Sequence, residues 1–169
     1  MSAAPAGKKP SKPSAPSTAA VRVTAADGEV VFALSLALAG RNPRHGAIMS
    51  LGMAAMTVDT RRVVGHFSAN IALSNSEVAP DVRDFWRSRP PSELAALTGD
   101  PIAREVAMAA LVEWARGICK KGATLVGSPI MAAYGFLSRY LLDFSGGSAT
   151  VPWGYSGVCV RSFCAGVLG

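Results

Sequence analysis

The sequence predicts one α/β domain, a five-stranded mixed sheet flanked by helices, behind a disordered tail. Three observations predict it. Half of the 169 residues are hydrophobic and 17% are charged, a globular balance with material for a core. The stretch Val30–Leu38 alternates strictly: Val30, Phe32, Leu34, Leu36 and Leu38 fall on one side, Val31, Ala33, Ser35 and Ala37 on the other. A strand sends successive side chains to opposite faces, so one face is bulky and the other nearly bare. Finally, three strand-like runs on short linkers give way to helical segments separated by short apolar runs, in the order βββαβα(β)α.

Residues 1–20, MSAAPAGKKPSKPSAPSTAA, hold prolines and lysines, no acid and no large apolar residue after Met1. They cannot bury enough surface to offset their ordering entropy, so a disordered tail is expected there and the domain over residues 21–169. Lys8, Lys9 and Lys12 carry half of the formal +6. That balance suits a nucleic-acid partner and equally a solubilising tail.

The first strand ends at Gly40, and RNPRHG is a loop by its Asn-Pro and Gly. Residues 47–59 and 63–73 read as second and third strands, closing an antiparallel meander. DVRDFWRSR reads as a short helix stopped by Pro90 and Pro91, and PSELAAL as a further turn with Ser92 as its cap. Asp100 and Pro101 match the cap and first position of a long helix. Along it Ile102, Val106, Ala109, Trp114 and Ile118 fall near helical spacing, and Gly122 is its expected stop. Residues 123–128 read as a fourth strand, and a helix runs from Pro129 to about Phe144. SGVCVRS reads as a fifth strand, and FCAGVLG opens a last helix that the chain end cuts short. Strands four and five require parallel crossovers.

Several classes are excluded. The cysteines Cys119, Cys159 and Cys164 form no CxxC, and with two histidines no zinc spacing exists. Their odd number argues for reduced cysteines in an intracellular protein, Cys159 and Cys164 being expected in the core. Asp27 and Glu29 directly precede the apolar run, which argues against a secretion signal. No run reaches the ~18 apolar residues of a membrane span, so no membrane partner is expected.

FALSLALAGRNPRHGAIMSLGMAAM resembles the first motif of the DEDD-type (DnaQ-like) 3′–5′ exonucleases of the ribonuclease H-like fold. That motif is a strand reading F-x-x-D-x-E-x-x-G, then a Pro-containing loop and a strand like ISLGAVA. Phe85-Trp86 before a proline, SPIMAAYGFLSRYL against F-D-x-x-F-L, and VPWGYSGVCVRSF follow in the family's order. The resemblance covers residues 30–168 and implies the strand order 3-2-1-4-5. It also places Ser35 where the family has its Asp and Ala37 where it has its Glu. Ala133 takes the second motif's Asp, with Ala132 as the other register. The third motif has no counterpart, since SFCAGVLG contains no acid. Cys159 stands where many relatives carry an Asp that is not a metal ligand.

Such enzymes hold two Mg²⁺ or Mn²⁺ ions about 4 Å apart. Hard cations need carboxylate oxygens; alanine has none and serine offers one neutral hydroxyl. The resemblance therefore implies no catalytic residue, no metal and no cofactor. The expected function is a catalytically inactive exonuclease-like domain serving as a nucleic-acid-binding or structural component. One alternative is an active metal-dependent exonuclease with ligands relocated among Glu29, Asp59, Glu113 and Asp143. Another is an unrelated α/β interaction module whose small strand face admits a close-packed helix. Two partner classes stay open. Single-stranded nucleic acid would use Arg83, Trp86, Arg87 and Arg89 with Lys8, Lys9 and Lys12, although these arginines equally suit a solvated helix face with one anchored Trp. Protein partners or self-assembly would use the Ala-rich face or the last helix. His45 and His66 show no catalytic partner, and Ser35 as a nucleophile would need a histidine within reach.

Overall fold

The computed structural model describes residues 28–120, 122–147, 150–154 and 157–168. The expected tail, with Lys8, Lys9 and Lys12, lies outside the described residues.

Five strands form one sheet: β1 (Val30–Leu38), β2 (Ile48–Thr57), β3 (Val63–Asn70), β4 (Thr124–Gly127) and β5 (Gly157–Cys159). Their order is β3-β2-β1-β4-β5, as the resemblance implies. β1 pairs antiparallel with β2, and β2 with β3. β4 runs parallel to both β1 and β5. The helices are α1 (Pro80–Arg87), α2 (Pro91–Thr98), α3 (Arg104–Ile118), α4 (Ile130–Ser145) and α5 (Val160–Leu168). Among the described residues no helix is long and apolar enough to cross a membrane.

The bulky side of β1 makes the core. Val30, Phe32 and Leu34 join Leu51 and Met53 of β2 and Phe67 of β3 against α3 and α4. The Phe32 ring meets Trp114 of α3 edge-on at 5.6 Å. Fully burying one such side chain contributes roughly 1.5–3 kcal/mol. Tyr140 of α4 is wholly buried, and its hydroxyl accepts the Ile48 N–H at 3.0 Å, fastening α4 to the start of β2.

The bare side of β1 belongs to an open sheet face. Register rows across β1, β2 and β3 run Ala33–Ala54–His66, Ser35–Gly52–Ser68 and Ala37–Ser50–Asn70. Ala33, Ser35, His66 and Ser68 are exposed. α1 and α2 cover only the C-terminal end of β1, where Ala39, Ala47 and Met49 form a second small core with Ala37, Trp86 and Leu94. The Asn70 amide holds α2 there, donating to the Ala96 and Gly99 carbonyls at 2.9 and 2.7 Å.

Element boundaries differ from the sequence reading in places. α3 starts at Arg104 with Ala103 as its N-cap, not at Pro101. The Ile102 backbone instead extends the sheet, its N–H bonding the Asn70 carbonyl and its own carbonyl accepting the Ala72 N–H, both at 2.9 Å. Asp100 is left-handed (φ 46) and caps nothing. The buried stripe of α3 is Ala107, Met108, Leu111, Trp114, Ala115 and Ile118, which leaves Val106 and Ala109 exposed. The helix ends at Ile118, before Gly122. Ser92 lies inside α2, whose N-cap is Pro90. α5 begins at Val160 and has no buried residue, so Cys164 is exposed rather than in the core, and Cys159 is half-buried.

Candidate functional site

The turn from β1 into β2 sets the site. The backbones of Gly40 and Gly46 touch: a Cβ on Gly46 would lie 3.1 Å from the Gly40 Cα and 3.0 Å from the Asn42 carbonyl oxygen. That carbonyl accepts the Gly46 N–H at 2.7 Å, and the Asn42 side chain accepts the Arg44 N–H at 2.9 Å. Arg139 of α4 reaches in and donates to the Pro43 and Gly46 carbonyls, the latter at 3.1 Å. The Ala79 N–H bonds the Ala39 carbonyl at 2.8 Å, so α1 starts against the end of β1.

Between these parts lies a cleft of about 670 Å³. Ser35 and Ala37 of β1 and Ser50 and Gly52 of β2 form its floor. Val82, Phe85 and Trp86 of α1, Leu97 of α2 and Leu36 make apolar walls. Arg41 and Asp81 are the charged residues lining it, and the Arg41 Nε donates to Asp81 Oδ2 at 2.8 Å. Asp81 also sits in the first turn of α1, where the helix dipole favours a carboxylate.

The two candidates for the second motif, Ala133 and Ala132, are neighbours on α4. Ala132 lines the cleft, whereas Ala133, the expected position, packs against the core. The cause is rotation of α4 to bury Ile130, Phe136, Leu137 and Tyr140, which turns Ala133 inward.

Among the basic candidates, α1 brings Trp86 to the cleft and turns Arg83 and Arg87 away from its lining. Trp86 is half-buried, and its indole N–H is buried without a hydrogen-bond partner among the described residues. Phe85 packs edge-on to it at 5.1 Å and stays 48% exposed. Arg89 lies over the Phe85 ring at 5.1 Å and 3.9 Å from Glu93. Arg87 pairs with Asp84 at 3.5 Å, and Arg83 donates to the Val78 carbonyl at 3.2 Å.

The four acids considered as relocated ligands do not meet at the cleft. Glu29 precedes β1, and at ~3.3 Å per residue it lies roughly 20 Å along the strand from Ser35. Asp59 is beside Gly28 at that same far end. Glu113 is exposed on α3, and Asp143 pairs with Arg139 at 3.3 Å. Among the described residues no group of three or more His, Cys, Asp or Glu could hold a metal ion. His45 is exposed in the β1–β2 loop. His66 is two strands and one register row from Ser35, ~10 Å or more at the usual ~4.8 Å strand spacing, beyond hydrogen-bond reach. Sequence reasoning missed Arg41 and Asp81, because a contact across forty positions leaves no periodic trace.

At the ends of β4 and β5, Cys159 has a thiol pKa lowered to about 7. The Ser162 hydroxyl is the largest cause, aided by the backbone N–H groups of Ser162, Ile130 and Arg161.

No family model matches the chain, and no curated protein matches its sequence. Solved structures do match. E. coli exonuclease I in complex with a dT13 oligonucleotide aligns over 81% of this chain and 30% of its own, with a TM-score of 0.58 and 9% identity. A product-bound exonuclease I aligns over 82% and 32%, with a TM-score of 0.58 and 8% identity. The moderately thermophilic exonuclease I from Methylocaldum szegediense aligns over 67% and 23%, with a TM-score of 0.52 and 9% identity. The chain thus spans less than a third of the length of these proteins. At such identity the likeness is one of fold: this chain carries a mixed five-stranded α/β sheet of the ribonuclease H-like kind found in exonuclease I.

Proposed function

We propose that this chain is an exonuclease-like domain that binds without cleaving. One observation carries the reading: the cleft meets Ser35, Ala37 and Ala132 where the resemblance calls for carboxylates, and the carboxylate it does hold, Asp81, is paired with Arg41. Two divalent ions do not fit this donor set. Neutral serine hydroxyls and one carboxylate tied to a guanidinium cannot replace the anionic shell that hard cations require.

Single-stranded nucleic acid is the ligand class we favour for the open end of the cleft. Phe85 offers an exposed ring with Arg89 over it, a stacking platform beside positive charge. The oligonucleotide-bound exonuclease I of the same fold is consistent with this class. The test incubates the chain with labelled single-stranded DNA and RNA plus Mg²⁺ or Mn²⁺. Retardation that weakens as salt is added, with no change in strand length, is expected. Shortening from the 3′ end overturns the reading, as does calorimetric binding of two divalent ions per chain.

A further inference from the structure

The floor of the cleft is a quartet. Ser35 faces Gly52 and Ala37 faces Ser50 across the β1–β2 register, so the two serines lie on one diagonal and the smaller pair on the other. All four line the cleft. Diagonal neighbours on one face of a sheet stand ~7–8 Å apart. A Cβ added to Gly52 would meet nothing nearer than the Ser35 carbonyl oxygen at 4.0 Å, so the space between the serines is open.

The floor carries no charge. The charged residues that line the cleft, Arg41 and Asp81, are paired with each other at 2.8 Å. The walls Leu36, Val82, Trp86 and Leu97 are apolar. A phosphate leaving water for such an interior is poorly compensated, whereas the uncharged parts of a strand, its bases and sugars, are not penalised in this way. The base has its stacking platform in the exposed Phe85 ring, which lines the same cleft.

The sugar is what the serine diagonal can read. A serine hydroxyl both donates and accepts. With a hydrogen bond of ~2.7–2.8 Å at either end, a ribose 2′-hydroxyl and the 3′ oxygen beside it reach across the span between Ser35 and Ser50. Deoxyribose keeps the 3′ oxygen alone and leaves one serine to water. The 2′-hydroxyl is the group by which a protein tells RNA from DNA.

We infer that the cleft prefers RNA, Ser35 and Ser50 holding the ribose 2′-hydroxyl and its neighbouring 3′ oxygen while the base stacks at Phe85. The inference rests on the reading of the cleft as a single-stranded nucleic-acid site and adds which sugar that site takes.

Single strands of RNA and DNA, matched in sequence and length, test it by gel retardation with the full chain and no divalent ion. RNA is expected to bind about fivefold more tightly, the effect of one net hydrogen bond. Both affinities fall as salt is added, but their ratio holds, because the hydroxyls are neutral. Ser35→Ala and Ser50→Ala each move the ratio towards one, with circular dichroism confirming the fold. Gly52→Val fills the open space between the serines and weakens RNA binding. Equal affinities for the two strands overturn the inference while the reading of the cleft stands. A ratio that survives both serine variants, or RNA binding that ignores Gly52→Val, overturns it in the same way. Retardation of neither strand overturns the reading of the cleft, and the inference falls with it.

Discussion

Arg41 and Asp81 meet at 2.8 Å across the mouth of the cleft, joining the β1–β2 loop to the first turn of α1. Both side chains are largely exposed, so the pair contributes about 0–1 kcal/mol to stability. Its consequence is electrostatic. The carboxylate that lines the cleft cancels the guanidinium that lines it, and a passing phosphate meets little net charge.

Asp81→Asn therefore releases Arg41. It leaves the unfolding free energy within about 1 kcal/mol of the unaltered chain. It tightens binding of single-stranded oligonucleotides and steepens the salt dependence by about one phosphate contact. Arg41→Gln has the opposite effect on both. Gel retardation over a salt series reads the slopes; an Asp81→Asn chain that binds more weakly contradicts the electrostatic account.

Gly46→Ala strikes the loop that carries Arg41. Its Cβ would come within 3.0–3.1 Å of the Asn42 carbonyl oxygen and the Gly40 backbone, and backbone yields less readily than a side-chain end. The expected cost is about 1–3 kcal/mol, as for overpacking elsewhere. Gly166→Ala is the comparison: it faces open space within α5 and is expected to gain about 0.5–1 kcal/mol. Denaturant midpoints of the two variants should move in opposite directions.

These contacts mark the limit of what the sequence carried. The meander was legible because β1 and β2 alternate with period two, and because Gly and Pro bracket their linker. The small face of β1 was legible too, since Ser35 and Ala37 interrupt a bulky frame. Ala132 and Ala133 carry no pattern that says which one faces the cleft; the packing of α4 turns Ala132 to the cleft and Ala133 to the core. Asp100-Pro101 satisfied the local rules of a helix start, yet Ile102 found backbone partners on Asn70 and Ala72. Arg41 and Asp81 each look like ordinary surface residues until the fold brings their elements together.

Glu77 links acidity to stability. Burial opposes its ionisation, but hydrogen bonds from Arg104 and from the Ser74 backbone and hydroxyl outweigh it, with the Arg104 charge adding to them. Its pKa falls from 4.5 to about 2. Arg104 also lies 5.9 Å over the Tyr140 ring, so the pair ties the turn after β3 to the core. Because the folded state holds the proton less tightly, the stabilisation is complete above the ordinary carboxylate range. It is lost as pH falls from about 5 towards 2. Glu77→Gln should cost about 1–2 kcal/mol at neutral pH, and the gap should close through that window. Unfolding curves at neutral and acidic pH measure it; a gap that does not narrow means the carboxylate is not the group responsible.

Cys159 provides a chemical readout of the β5–α5 junction. The Ser162 hydroxyl, followed by the N–H groups of Ser162, Ile130 and Arg161, stabilises its thiolate and lowers the pKa from 9.0 to about 7. The thiolate is the nucleophile, and Cys159 is half-buried rather than enclosed. Its alkylation by iodoacetamide should therefore rise through pH 7 and level off above it. Peptide mass spectrometry at a series of pH values assigns the rate to Cys159 separately from Cys164 and Cys119. Ser162→Ala removes the largest cause and moves the midpoint upward, while the backbone N–H groups keep it below 9.0. A midpoint that stays at 7 in that variant would assign the lowered pKa to the two helix starts alone.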